Sequence, residues 1–148
     1  MKYIRNIKSR YLLPVVCVVA SLAFGLPGAH STDEPQYVLE DGKVDKATFN
    51  GYRRFHGTCH ACHGQDAMGG SFAPALNESL KTLTYAEFTT TVLEGRQATD
   101  ASGAASAMPA FAKDPNVTKH LDDIYRYLKA RAVGGLGPGR PPKLPKKK

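Results

Sequence analysis

The octapeptide GTCHACHG, residues 57–64, constrains this chain more than any other stretch. Two cysteines three apart, with a histidine directly after the second, suit a redox dithiol, part of a zinc site, or the attachment point of a c-type haem. These chemistries need different surroundings, so the rest of the sequence has to discriminate among them.

Compartment comes first. Lys2, Arg5, Lys8 and Arg10 precede the apolar run YLLPVVCVVASLAFGL, and Ala29 and Ser31 stand at cleavage-site spacing. Residues 1–31 therefore read as a cleaved secretory signal peptide, which predicts a periplasmic protein. The rival is a retained membrane anchor, but Pro14 and Pro27 shorten the apolar run below a comfortable span. Cys17 lies inside the run and leaves with it. Removing 31 of the 148 residues leaves 117, enough for one small domain with a modest core of its own. Cys59 and Cys62 are then the remaining cysteines, so no disulfide framework is expected.

The formal charge of +7 is unevenly spread. Four of the 20 basic residues fall in the leader and five between Arg140 and Lys148, so residues 32–139 carry 11 basic against 13 acidic residues, a balance of −2. No nucleic-acid footprint is apparent on such a body. Residues 32–45 read as a polar lead and residues 136–148 as a basic Pro/Lys-rich disordered tail, serving solubility or attraction to an acidic surface.

Between them, residues 46–135 read as one all-α domain with long loops. Asp45 caps a helix over Lys46 to Thr58 with Phe49, Tyr52 and Phe55 along one side. The segment from Gly64 to Lys81 has no useful periodicity and reads as an irregular loop. Thr84 and Glu87 form a capping box for a helix carrying Tyr85, Phe88, Val92 and Leu93, stopped by Gly95. RQATDASGAASAMPAF follows as a small-residue loop. Asn116 is expected to cap a last helix, in which Val117, Leu121, Ile124 and Leu128 share a face and which Gly134 and Gly135 end. No strand of useful length is expected.

This context separates the three chemistries. A thioredoxin-type dithiol belongs at a helix N-terminus near a βαβ unit, whereas this motif closes a helix in an all-α chain. A structural zinc site wants four ligands, and beyond the trio only His56, His60 and His120 are on offer, with no second cysteine pair. Haem attachment uses every part of the trio: Cys59 and Cys62 reach two vinyl groups while His63 meets the iron from the same turn. His60 is then a spacer, and His56 and His120 are packing or surface residues. Met108, 45 residues beyond His63 and stiffened by Pro109, has the reach and the soft sulfur for the iron's other face. Met68, five residues after His63, is too close to cross the ring and is expected to pack beside the haem.

CHACHG, APAL, MPAF and LDDIYRYLKAR together resemble the class I cytochromes c over Phe49 to Arg131. More narrowly, GYRRFHGTCHACHGQDAMGGSFAPALNESLKTLTYAEF, with DPNV, resembles the periplasmic cytochromes that accept electrons from PQQ-dependent alcohol or methanol dehydrogenases. The resemblance implies a few helices and long loops wrapped round one haem c. It implies thioethers at Cys59 and Cys62, axial ligation by His63 and Met108, and a Pro74 carbonyl accepting the His63 Nδ1 proton. It also implies close crossing of the terminal helices at Gly51 and Phe55 against Ile124 and Tyr127.

The function this predicts is one-electron transfer without a substrate pocket. A PQQ-dependent alcohol dehydrogenase is the donor and a downstream cytochrome or terminal oxidase the acceptor, met through an apolar edge of Ala61, Met68, Phe72, Pro109 and Ala110. Two alternatives stand beside it. One is a haem subunit fixed in a larger respiratory complex. The other is a haem enzyme with a labile sixth ligand, which needs an acid/base residue that the sequence around Met108 does not supply.

Overall fold

The computed structural model describes residues 34–99, 103 and 105–145. The predicted signal peptide lies outside the described residues. Among the described residues no helix is long and apolar enough to cross a membrane.

The chain opens with a small hairpin, β1 (Leu39–Glu40) against β2 (Lys43–Val44), antiparallel with Leu39 facing Val44. Asp41 and Gly42 both take positive φ, 50° and 73°, which is the backbone a two-residue hairpin turn requires. The expected polar lead is therefore structured. Helix α1 (Lys46–Thr58) follows with the predicted bounds and cap. Asp45 accepts the Ala47 and Thr48 N–H groups at 2.8 and 3.0 Å, and its second oxygen takes the Val38 N–H at 2.8 Å, which ties the hairpin to the helix.

The motif closes α1 and forms the single turn α2 (His60–His63). The expected irregular loop after it is more ordered than its composition suggests, holding a 3-10 turn at Gln65–Ala67 and the short α3 (Leu76–Ser79). Helix α4 (Tyr85–Glu94) has the predicted Thr84–Glu87 capping box and stops at Gly95. The predicted small-residue loop is instead a hairpin, β3 (Arg96–Thr99) against β4 (Ala105–Met108), with Arg96 opposite Met108. Almost every residue of this ribbon is exposed, so no apolar alternation announces it.

The predicted last helix is two. Asp114, rather than Asn116, caps α5 (Pro115–Thr118), with Pro115 in the first turn, where its missing N–H costs nothing. The chain breaks at His120 (φ −130°, ψ 18°) before α6 (Leu121–Ala132). The Asn50 side chain, which lies 3.2 Å from the His120 Nδ1 and donates to Asp123 at 2.8 Å, holds that break against α1. Beyond α6, Gly134 takes the left-handed conformation expected of a helix stop.

Helices α1 and α6 form the core, with Phe49 and Phe55 on one side and Ile124, Tyr125, Tyr127 and Leu128 on the other. They cross so closely that a β-carbon on Gly51 would lie 1.7 Å from the Asp123 carbonyl oxygen. The expected contact at Gly51 is therefore present, and its partners are the Asp123 backbone and Tyr127. Helix α4 joins through Phe88 and Tyr85, whose rings lie 5.1 and 4.9 Å from Tyr125. The Tyr85 hydroxyl bonds to Asp122.

The predicted disordered tail needs the largest correction. Leu136 and Pro141 are buried. The Val44 N–H donates to the Pro142 carbonyl at 2.9 Å and the Leu144 N–H to the Val44 carbonyl at 2.8 Å, so the segment adds a parallel bridge to β2. Arg140 and Lys143 sit over the Phe49 ring at 5.1 and 4.7 Å. Low complexity predicts disorder because it offers little to bury; here a free strand edge and an aromatic face supply partners that composition cannot show.

Candidate functional site

Cys59 ends α1 and begins α2, its N–H donating to the Phe55 carbonyl at 2.8 Å while its carbonyl accepts from Cys62 and His63 at 3.2 and 3.1 Å. One turn thus presents Cys59, Cys62 and His63. Both cysteines are free, Cys59 half-buried and Cys62 exposed. Burial, reinforced by the Asp114 and Cys62 charges, pushes the Cys59 thiol up to about 11. A redox or nucleophilic thiol needs the opposite shift, so Cys59 is poorly suited to that role.

His63 is only 7% exposed. Its Nδ1 lies 3.0 Å from the Pro74 carbonyl. A carbonyl only accepts, so Nδ1 is the donor, and in the neutral ring the lone pair then lies on Nε2. This is the tautomer an iron ligand requires, and Pro74 makes the contact the resemblance implied.

Met108 ends β4, half-buried and packed against the core. What holds it there is Gly95, at φ 78° and ψ −179°, a conformation open to glycine alone. A β-carbon at Gly95 would lie 2.6 Å from the Met108 carbonyl oxygen. After Met108 the chain returns to α4, with the Phe111 and Ala112 N–H groups donating to the Val92 and Leu93 carbonyls at 3.0 and 3.2 Å. A cleft of about 360 Å³ runs past Met108 between Glu94–Gln97 and Ala107–Ala110. Exposed Glu94 and Arg96 line the same cleft as the methionine, and the Glu94 carboxylate corrects the expectation that no acid/base group lies nearby.

The remaining histidines have the expected packing roles. His56 lies 2.9 Å from the Tyr52 carbonyl, packs tilted against the Tyr52 ring and stacks on His60, while His120 belongs to the Asn50–Asp123 cluster. Met68 and Phe72 are 59% and 80% exposed, and Ala61, Pro109 and Ala110 are exposed as well.

Among the described residues no three His, Cys, Asp or Glu side chains converge on a point that could hold a metal ion. Two cysteine sulfurs, one buried imidazole with a free Nε2 and one thioether on another element suit a macrocycle with a central iron better than a bare ion, so the donor set fits haem c. Sequence reasoning missed the supports of the site. In the sequence Gly95 reads only as a helix stop, and Asp66 and Arg131, both buried, lie in the stretches that carry the resemblance but have no role assigned there.

Residues 47–128, more than half of the chain, match the profile of the family described as cytochrome c oxidase, cbb3-type, subunit III. Cytochrome c-553I of Paracoccus denitrificans is 46% identical over 112 residues, covering 75% of this chain and 49% of the relative. The chain thus spans about half the length of that protein. Cytochrome c-555 of Methylococcus capsulatus is 33% identical over 122 residues, 82% of this chain and 85% of the relative. The crystal structure of the c-type cytochrome XoxG from Methylobacterium extorquens AM1 superposes with a TM-score of 0.67 at 43% identity, covering 77% of this chain and 69% of that one.

Proposed function

Because this chain belongs to the c-type cytochromes, within the family described as cytochrome c oxidase, cbb3-type, subunit III, we propose that it carries single electrons in the periplasm from a PQQ-dependent methanol or ethanol dehydrogenase toward a terminal oxidase. The chain has the class I cytochrome c fold and one covalently bound haem c. That haem supplies an iron which alternates between ferric and ferrous states.

In this reading Cys59 and Cys62 form the thioethers, and His63 and Met108 bind the iron axially. Pro74 fixes the His63 tautomer and strengthens its donation, while the soft Met108 sulfur favours the ferrous state. The observation that carries the reading is the His63 ring, buried, with Nδ1 committed to Pro74 and Nε2 free, one turn from two free cysteines. The choice of donor is supported by the resemblance of residues 51–88 to dehydrogenase-linked cytochromes. The exposed Met68 and Phe72 beside the motif supply an apolar surface suited to brief docking.

Stopped-flow mixing of the oxidised protein with purified PQQ-dependent methanol and ethanol dehydrogenases tests this donor. Rapid reduction that saturates with dehydrogenase concentration is expected from at least one of them. Failure of both to reduce a protein that dithionite reduces normally would remove the proposed donor.

The family's description favours a second reading, a haem subunit held in an oxidase complex. The N-terminal sequence of the exported protein separates the two. A start near Thr32 supports the free carrier, and an intact Met1 supports an anchored subunit.

A further inference from the structure

Asp66 (φ 60°) and Ala67 (φ 62°) place two consecutive non-glycine residues in left-handed backbone, in the turn directly after the motif. Residues with a β-carbon hold that conformation as a pair only where their surroundings over-determine it. Both are buried, at 6% and 0% exposure. What surrounds them comes from the far end of the chain.

Both oxygens of the Asp66 carboxylate accept the Gly139 N–H, each at 2.9 Å. The Asp66 backbone carbonyl accepts the Arg131 Nε–H at 3.0 Å. Arg131 is itself buried and gives its Nη1 to the carbonyls of Leu136 and Gly137, at 2.6 and 2.5 Å. One guanidinium therefore ties the turn to the C-terminal segment. That segment is held in turn by the Val44 edge of β2 and by the Phe49 ring.

The clamped turn is continuous with the support of His63. The Gly69 N–H donates to the His63 carbonyl at 2.8 Å, and the Gly70 N–H donates to the Ala73 carbonyl at 3.0 Å. The turn abuts the returning chain so closely that a β-carbon on Gly69 would sit 2.7 Å from the Ala75 nitrogen. Between Ala73 and Ala75 lies Pro74, whose carbonyl holds the His63 Nδ1 proton.

We propose that residues 136–144 form a strap that fixes the His63 imidazole from the opposite end of the sequence, with Asp66, Arg131 and Gly139 as positioning residues acting through the 64–75 turn and Pro74. The proposal rests on assigning His63 to the iron. Released from the strap, Asp66 and Ala67 relax out of left-handed backbone, the turn moves against Pro74, and the Nδ1–H bond opens to solvent.

The test uses the haem-loaded protein in its diamagnetic ferrous state, where NMR follows solvent exchange of the His63 Nδ1 proton. The variants are Asp66→Gly, which removes both oxygens that accept the Gly139 N–H yet keeps the tolerance of left-handed backbone, a chain ending at Pro138, and a control ending at Pro145. Exchange at His63 should rise at least about tenfold in the first two, the scale on which partners of metal-bound histidines act. Backbone amides of α1 and α6 should keep their parent rates, and the control should match the parent throughout. An unchanged Nδ1 rate overturns the proposal, as does a rise that the α1 and α6 amides share equally, which would mean lost global stability. If the chain ending at Pro138 fails to hold haem, Asp66→Gly decides alone. A haem spectrum that survives His63→Ala unaltered would instead overturn the ligand assignment, so the two failures are distinct.

Discussion

At the scale of single residues, the two iron ligands proposed here are held by different means. His63 is fixed by a hydrogen bond and by burial, both visible at the residue itself. Met108 depends on a neighbour across the α4–β3 junction: Gly95 lets the strand approach within a distance that no side chain tolerates. Gly95→Ala should therefore behave as a methionine-ligand variant although it touches neither sulfur nor iron. In the oxidised protein the weak near-infrared band of a methionine–iron bond should be lost in Met108→Ala and lost or shifted in Gly95→Ala. A Gly95→Ala protein with the parent band at full strength would show that the β4 end reaches its place without the glycine. A band that survives Met108→Ala would move the ligand elsewhere, with Met68 as the next sulfur to test.

At the scale of elements, local chemistry decided what the sequence could reveal. Helices α1 and α4 were predictable because each carries its own cap, Asp45 or the Thr84–Glu87 box, with an apolar face behind it. Asp45 also yields a stability prediction. Burial alone would raise its carboxyl, but hydrogen bonds from the Thr48 hydroxyl and from the N–H groups of Val38, Thr48 and Ala47 outweigh burial and pull it below the ordinary 3.8. A depressed carboxyl stabilises the fold above its unfolded-state value, and this contribution disappears as the pH falls through the lower folded-state value. Asp45→Ala should therefore cost about 1–2 kcal/mol in urea unfolding near neutral pH. The gap to the parent should narrow below pH 3.8; a constant gap across that range would assign the loss to packing. The β1–β2 hairpin was also within reach, since Asp41–Gly42 is a two-residue turn signal that the polar composition of residues 32–45 obscured. The β3–β4 ribbon was not, because an exposed ladder of small residues has no periodicity to read. The break at His120 and the order of residues 136–145 were hidden for a different reason: both depend on partners distant in sequence, Asn50 for the first and Val44, Phe49 and Asp66 for the second. The haem-attachment trio was fully legible because its chemistry is contained in five consecutive residues, whereas its supports at Asp66, Gly95 and Arg131 exist only in three dimensions.

At the scale of the whole molecule, the apolar core is concentrated where α1 and α6 cross, with α4 added through Phe88 and Val92. The segments that carry the chemistry meet this core at Cys59 and Met108 but are otherwise mostly exposed. Between Gly64 and Ala75 only Asp66 and Ala67 are buried, and the β3–β4 ribbon is almost entirely exposed. One covalently held cofactor between the His63 side and the Met108 side would tie these exposed segments together, and a small domain gains little cohesion from such segments alone. A ligand that binds only the folded state stabilises it, and covalent attachment makes that stabilisation permanent. The cytoplasmically expressed Cys59→Ala, Cys62→Ala double variant, which cannot attach haem, should therefore lose cooperative unfolding. Its helical signal should decline gradually with temperature, while the haem-loaded parent melts in a sharp transition. Pairing by α1 and α6 can persist in the variant, so residual helix content is not the deciding observation; the breadth of the transition is. A sharp, two-state melt of the haem-free protein would show that the terminal helices and the C-terminal segment suffice to hold the fold, and that the haem is attached to a structure already complete without it.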